Sequence, residues 1–391
     1  MCNIGIVAEF NPFHLGHKHL ISNAKANNEG IICVMSGNFV QRADTAVFSK
    51  SERCLAALKN GADLVIELPT PWAISNAEGF AFGALSLLGN TKIVNKIYFG
   101  SECGNTQKLS NTAQVISSKE FNLKVSEKLK SGKTLAKIRS DILNAEHPEL
   151  YGILDEPNNI LGIEYMLAAK KLGCNFNFET INRIGAKHDS KLANITASAS
   201  YIRENILLGN KQDILNIVPN ETALSINNGV FANLKNLETA ILYSLRANNT
   251  PKRYANLPDV SEGLENRIVK AVENSATLEE LYQNIKTKRY TLSRIRRIIL
   301  WAFLGINTLP LGATPPYIRV LGFNKKGEQL LKQIEQKSEI PVIKKAADAK
   351  NLTGFAKEIF ETECRATDIW NLALNIPQRC GGEFLYKIVK E

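Results

Sequence analysis

Residues 4–17 read IGIVAEFNPFHLGH, and the fold turns on how that stretch is parsed. The run 4–8 has the length and apolar content of a buried strand. Glu9-Phe10-Asn11-Pro12 breaks it, and helical spacing takes over from Gly16 to about Ala26. A strand, a tight proline-containing turn and a helix start in succession put exposed backbone N–H groups and the positive end of a helix dipole in one place, which suits a phosphate. His14 and His17 lie on that first turn, where both can donate to phosphate oxygens, and a phosphate would raise their pKa. Gly16 between them has no side chain, so a flat base can approach the backbone. Ordinary capping and packing would also place two histidines at a helix start. A metal would need His19 as a third ligand, and no Asp, Glu or Cys completes the set at the usual spacing. The nucleotide reading therefore stands ahead of both.

Outward from this segment the pattern repeats. Short apolar runs at 31–35, 63–68, 95–99 and 176–181 read as strands, and 51–60, 76–88 and 157–171 read as helices between them. The alternation predicts an α/β fold whose N-terminal part is a Rossmann-like, doubly wound parallel sheet. Ligands of such sheets bind beyond the carboxyl ends of the strands. The segment after the first strand, Gly100 after the fourth and Arg183 after the fifth all fall there. From about residue 205 the texture becomes mostly helical, at 213–218, 238–246, 262–274, 278–285 and 293–304. A strand at 318–323, a helix at 327–337, an extended piece at 341–343 and a helix at 353–362 follow. The chain is thus expected to divide into a nucleotide-binding domain, 1–208, and a mainly helical, basic domain, 209–391.

Composition narrows the classes. The chain has 391 residues, 44% hydrophobic and 22% charged, which excludes wholesale disorder and allows a sizeable core. No apolar run approaches the roughly 18–20 residues of a membrane span, and the strand-like N-terminus does not resemble a signal peptide, so a cytoplasmic location is expected. Seven scattered cysteines without a C-x-x-C pair argue against a disulfide framework or a structural zinc. A net charge of +10 suits a polyanionic partner such as nucleic acid, although a basic enzyme without one would look the same. A further segment, ITASASYIR (195–203), places Ser198, Ser200 and Arg203 at another helix start, where hydroxyls and a guanidinium again suit phosphate.

Several stretches taken together carry a resemblance: AEFNPFHLGH (8–17), SGNFVQR (36–42), GADLVIELP (61–69), FGSE (99–102), PNNILGIEY (157–165), INRIGA (181–186) and LGFNKKG (321–327). On these the chain resembles the bacterial tRNA(Met) cytidine acetate ligases, within the H-x-G-H nucleotidylyltransferase superfamily. The resemblance implies that ATP activates acetate as acetyl-adenylate with release of pyrophosphate. The acetyl group then passes to N4 of the wobble cytidine of elongator tRNA(Met), and AMP leaves. ATP, acetate and tRNA are the implied partners, with Mg²⁺ expected on the phosphates. The implied ATP site runs through Val7, Ala8, Glu9, Phe10, Asn11, Pro12, Phe13, His14, Leu15, Gly16, His17, Lys18, His19 and Leu20. It also takes in Gly100, Arg183 and one of Asn158 and Asn159, with Asn158 favoured. His14 and His17 would face phosphate oxygens, while Arg203, Ser198 and Ser200 would hold the departing pyrophosphate. The family usually has glycine after the Gln-Arg of the second stretch and often proline two residues later; here Ala43 and Thr45 stand there. Asp44 is a candidate polar group near the acetate, and reads equally well as a capping residue.

The stretch LYQNIKTKRYTLSRIRRIIL (281–300) carries Lys286, Lys288, Arg289, Arg294, Arg296 and Arg297, no acid, and Tyr282 and Tyr290 between them. Cations with interleaved aromatics suit phosphate tracking and base stacking, so these six are the candidate tRNA contacts; a solvated basic helix face would read the same. Lys325-Lys326 and Lys344-Lys345 are weaker candidates. SGKT at 131–134 imitates the end of a P-loop, but Glu127 stands where a glycine is needed. Two other functions are compatible with the H-x-G-H segment. One is an adenylyltransferase acting on a small phosphate-bearing cofactor precursor, which would not need a long basic C-terminal part. The other is a non-catalytic RNA-binding protein with a relic nucleotide fold, which would not keep both histidines, 195–203 and Arg183.

Overall fold

A computed structural model describes residues 3–25, 29–129, 133–183, 198–261, 263–306 and 312–391. Its strands are β1 (Asn3–Ala8), β2 (Gly30–Ser36), β3 (Phe39–Val40), β4 (Asp44–Thr45), β5 (Leu64–Leu68), β6 (Lys96–Ser101), β7 (Asn177–Asn182), β8 (Ile318–Phe323), β9 (Val342–Ile343) and β10 (Val389–Lys390). Eight of them form one sheet in the order β10-β8-β5-β2-β1-β6-β7, with β9 alongside β8. The run β5-β2-β1-β6-β7 is parallel throughout. Buried on both faces, β2 and β5 have the near-continuous apolar sequences GIICVMS and LVIEL. Helices Leu15–Ala24, Lys50–Lys59, Ala77–Asn90 and Pro157–Leu172 connect and cover the sheet. The chain winds from β1 outward through β2 to β5, then returns to β6 on the other side of β1. That reversal opens a crevice at the carboxyl ends of β1 and β6.

The expected strands are all present, displaced by a residue or two. Ahead of the expected helix Pro157–Leu172, the segment after β6 also forms the helices Thr106–Ile116, Lys119–Lys128 and Leu135–Glu146, for which no element was assigned from the sequence. The helix expected at 213–218 is two 3₁₀ turns, Lys211–Asp213 and Leu215–Ile217, with Pro219 two residues past the second. The helix expected at 353–362 runs on as Gly354–Ala373. Among the described residues no helix is long and apolar enough to cross a membrane.

The C-terminal segment does not stay with the helices that precede it. β8 pairs antiparallel with β5, Leu64 opposite Phe323, and β10 and β9 pair with β8. Tyr317, Ile318, Val320, Leu330, Ile334 and Phe360 share one core with Ile32, Val34 and Leu64. A single division at 208/209 therefore does not describe the packing. The reason is that β8, IRVLGF, is apolar enough to be covered on both faces, and the free edge of β5 is where it can be. The helical unit proper has its own core, including Leu245, Ile268, Leu281, Ile298, Trp301 and Trp370.

A buried ionic cluster fastens the returning segment. Lys50 Nζ lies 2.9 Å from Glu67 on β5 and 2.5 Å from Glu383. Arg319 on β8 reaches Glu383 at 3.2 Å, an ionic contact without a directed hydrogen bond, and lies over the Tyr386 ring. Burial works against the Lys50 charge, but Glu383 and Glu67 outweigh it and hold its pKa above the usual value. Nearby, Glu363 accepts hydrogen bonds from the Thr70 N–H (2.6 Å) and hydroxyl (3.0 Å). Burial, reinforced by Glu67, pushes the Glu363 pKa up to about 8.

Candidate active site

The helix Leu15–Ala24 begins with a reciprocal cap made by the two histidines themselves. His14 is the N-cap, and its Nδ1 accepts the Gly16 N–H at 3.0 Å. His17 Nδ1 accepts the His14 N–H at 3.2 Å. The arrangement is a capping box with imidazoles in place of hydroxyl and carboxylate. Because each Nδ1 is an acceptor, each neutral ring carries its proton on Nε2 and has that N–H to offer. The rings stack, centroids 3.8 Å apart and 29° between planes. Burial, with Arg183 and Arg203 adding to it, lowers the His14 pKa to about 3. Burial, then His14 and Arg183, hold His17 well below its ordinary value. Both are neutral donors near pH 7 until an anion arrives. Gly16 has a second reason to be glycine: a Cβ there would stand 2.8 Å from His14 Cε1, so its absence makes room for the capping ring.

These rings face a cleft of about 300 Å³ at the crevice between β1 and β6. Of the residues implied by the resemblance, the wall contains Val7, Ala8, Glu9, Phe10, Asn11, His14, His17, Leu20, Gly100, Asn158, Arg183, Ser198, Ser200 and Arg203. Pro12, Phe13, Leu15, Gly16, Lys18, His19 and Asn159 lie off it. The Asn11–Pro12 peptide is cis, Phe13 is buried in the core under the first helix, Lys18 is exposed, and His19 contacts Asn23. Asn158 and Asn159 separate cleanly. Asn159 is buried and its Oδ1 accepts the Cys103 N–H at 3.1 Å. Asn158 faces the cleft and accepts from Arg183 Nη1 at 2.7 Å. Glu102 binds the backbone N–H of both (3.1 and 2.9 Å), supplying the acidic cap that Pro157–Leu172 lacks within itself. Gly100 is needed because a Cβ there would meet Arg183 Cγ at 3.0 Å. Of the segments expected to matter, 184–186 and 195–197 lie outside the described residues, as do Ser131 and Gly132 of the rejected P-loop.

The opposite lip comes from the helix Ala199–Leu208 and the β3–β4 hairpin. Ser198 is the helix N-cap, accepting the Tyr201 N–H at 3.2 Å. Arg203 donates to the Asn11 carbonyl at 2.7 Å and to Ser200 Oγ at 3.1 Å, and Arg42 reaches the same Oγ at 3.5 Å. Among the described residues none of Arg42, Arg183 and Arg203 makes an ion pair. Sequence reasoning did not single out Gln41, Arg42, Phe80, Phe99, Leu161 and Tyr165, which also line the cleft. All but Phe80 lay within the quoted stretches, but nothing local marked them as cleft residues, and Phe80, Phe99, Leu161 and Tyr165 have the spacing of any core residue. The hairpin also explains the departure at Ala43. With Phe39 opposite Thr45 and Val40 opposite Asp44, the loop has three residues, whose last, Ala43, has φ +56°. That is the left-handed position where such loops favour glycine.

Asp44 lies off the cleft wall, within electrostatic reach of both Arg203 and Arg296. The hairpin is thus the seam between site and helical unit, and Phe39 and Ala43 pack in the helical core. Of the six cations in 281–300, Lys286, Lys288 and Arg289 are exposed. Arg294 and Arg297 are tied to the turn at 259–261: Arg294 donates to Asp259 O and Ser261 Oγ, and Arg297 pairs with Asp259 at 3.0 Å. Tyr282 and Tyr290 do not offer an open stacking face. Both are buried, with Arg296 lying over one ring (5.5 Å) and Arg294 over the other (5.1 Å).

A parallel α/β sheet with an H-x-G-H helix start at its switch point defines a nucleotidyl-transferring protein, and the model of the HIGH Nucleotidyl Transferase family matches residues 1–382. Full-length relatives narrow this. The chain is 37% identical to a tRNA(Met) cytidine acetate ligase of Clostridium perfringens over 97% of both chains, and 39% identical to one of Thermoanaerobacter over 99% of both. The crystal structure of Thermotoga maritima TmcAL bound with alpha-thio ATP superposes with a TM-score of 0.89 at 28% identity, covering 100% of this chain and 99% of that one. The chain belongs to the tRNA(Met) cytidine acetate ligase family.

Proposed function

We propose that this protein is an ATP-dependent ligase that converts acetate to acetyl-adenylate and acetylates N4 of the wobble cytidine of elongator tRNA(Met), in the cytoplasm. The observation that carries the reading is the pair of Nε2–H donors at the helix start, facing a cleft lined by three arginines that have no ion-pair partner among the described residues. Attack of acetate on the α-phosphorus is a phosphoryl-type transfer, in which the protein positions the reactants and stabilises charge. His14 and His17 donate to the phosphate oxygens on which charge develops. Arg203 and Ser200 hold the leaving pyrophosphate, and Arg183, braced by Asn158, takes the adenosine side. Mg²⁺ would travel with the triphosphate. Among the described residues no three His, Cys, Asp or Glu side chains cluster as a cage, so the ion is assigned no protein ligand set. Activation precedes transfer because an exocyclic cytosine amine is a weak nucleophile. Arg296 at the hairpin seam, with exposed Lys286, Lys288 and Arg289, brings the tRNA backbone toward the cleft mouth.

The test is incubation with ATP and labelled acetate, with and without tRNA. The ligase gives ATP-dependent label in tRNA, with AMP and pyrophosphate released. No label in tRNA but AMP transfer to a mononucleotide or pantetheine phosphate would favour the adenylyltransferase. Unaltered ATP with tRNA retained would favour a relic RNA-binding fold.

A further inference from the structure

A carboxylate stands on the wall of this anion-receiving cleft, and polyphosphate binding gives no reason for it. Glu9 is the only acid among the described residues lining the cleft. The other acids near the strand ends are committed elsewhere: Glu67 to Lys50, Glu102 to the Asn158 and Asn159 backbone, and Asp44 to the Thr45 N–H away from the wall. Glu9 is held firmly but left half unsatisfied. Its backbone carbonyl accepts from Arg53 Nη1 at 2.8 Å, and the same guanidinium nitrogen donates to the Ser36 carbonyl at 2.9 Å. Its Oε1 accepts the Gln41 N–H at 2.8 Å. Phe10, next in the chain, is fixed in the left-handed region at φ +47°. Among the described residues Oε2 accepts no hydrogen bond and no cation forms an ion pair with the carboxylate. Beside a triphosphate such a group is repelled, so it needs a partner that is positive or gives up a proton during the reaction.

We propose that Glu9 is the base that removes the proton from the cytosine amine during acetyl transfer. The proposal rests on the ligase reading above. In this step the N4 nitrogen attacks the carbonyl carbon of acetyl-adenylate, the C–N bond forms, and the C–O bond to AMP breaks with its electron pair leaving on the phosphate. One N4 hydrogen leaves as a proton to Glu9 Oε2, and passes to solvent once the acetylated RNA departs. No other reactant is needed. The surroundings suit a base. Burial raises the carboxyl pKa, opposed by the Gln41 N–H and by the Arg203, Arg42 and Arg53 charges.

Glu9→Gln tests this because Gln keeps the shape and the acceptor for Gln41. Two half-reactions are measured apart: acetate-dependent exchange of labelled pyrophosphate into ATP, and single-turnover acetyl transfer to tRNA from preloaded acetyl-adenylate. Absence of exchange in the wild type would strike the ligase reading itself, not the role of Glu9. The expected result is a loss of transfer of about 10²-fold or more, at least about tenfold beyond any loss of exchange, with Glu9→Asp restoring part of it. The rising limb of the transfer pH profile should vanish in Glu9→Gln. Equal losses in both half-reactions, with an unchanged melting temperature and the same pattern in Glu9→Asp, would overturn the proposal and assign Glu9 to the nucleotide or its metal. Unchanged transfer would overturn it too, leaving the AMP phosphate as proton acceptor.

Discussion

Around Lys50 the charges are paired with one another; in the cleft beyond β1 three arginines have no acidic partner among the described residues. Both groups sit at the carboxyl ends of the same sheet, only a few strands apart. At the first, Lys50, Glu67, Glu383 and Arg319 neutralise one another and fasten a distant chain segment. At the second, Arg42, Arg183 and Arg203 are braced by neutral groups, Ser200, Asn158 and the Asn11 carbonyl, so their charge stays available. Charge satisfied within the fold holds structure, whereas charge braced by neutral dipoles awaits a ligand. Neutral His14 and His17 fit the second pattern, since two stacked imidazolium ions would repel each other beside arginines.

The contrast can be broken experimentally. Lys50→Ala leaves buried Glu67 without its cation and Glu383 with Arg319 alone, and should lower stability by about 3–5 kcal/mol in denaturant titration, with the ATP affinity of the folded fraction unchanged. A loss below about 1 kcal/mol would show that the cluster does not act as described. His14→Asn should do the opposite. Asn caps well, so stability should move by less than about 1 kcal/mol, while acetyl-adenylate formation falls by about 10²–10³-fold, or 2.7–4 kcal/mol. An unchanged rate would remove the imidazole from the reaction.

The two regions should also respond oppositely to pH. With its pKa depressed to about 3, His14 contributes stability that is complete above its unfolded pKa of 6.5 and is lost as pH falls from there toward 3. Glu363, raised to about 8, contributes stability present below its unfolded value of 4.5 and lost as pH rises toward 8. Each slope is at most about 1.4 kcal/mol per pH unit. His14→Asn should flatten the acid limb and Glu363→Gln the neutral-to-alkaline one, as read from stability at stepped pH; an unaltered limb would rule out that group. The smallest effect belongs to the seam. Arg296→Ala should reduce the salt slope of tRNA binding by about one and leave acetate-dependent pyrophosphate exchange intact. An unchanged slope would make the 281–300 stretch a solvated helix face.

Local sequence made the site entrance legible. The strand, turn and helix around residues 4–17 obey short-range rules, and so do the strands ending at Gly100 and Arg183. Between Asn158 and Asn159 the sequence could only favour the first, because their difference lies in which face of the Pro157–Leu172 helix each occupies relative to β6 and Cys103. The tyrosines of 281–300 read as stacking platforms because a repeating aromatic looks the same whether it faces solvent or core. The pairing of β8 with β5 leaves no local trace, since its partner lies far back in the chain.

That pairing bears on how the protein is made. While a ribosome extends the chain, β5 waits with an open edge until residues 318–323 have emerged, and a fragment ending near 208 would keep that edge bare and prone to join other chains. The nucleotide-binding half is therefore not a cassette that can be cut out, swapped or expressed alone at the apparent boundary, because its flank is supplied from the far end of the gene product.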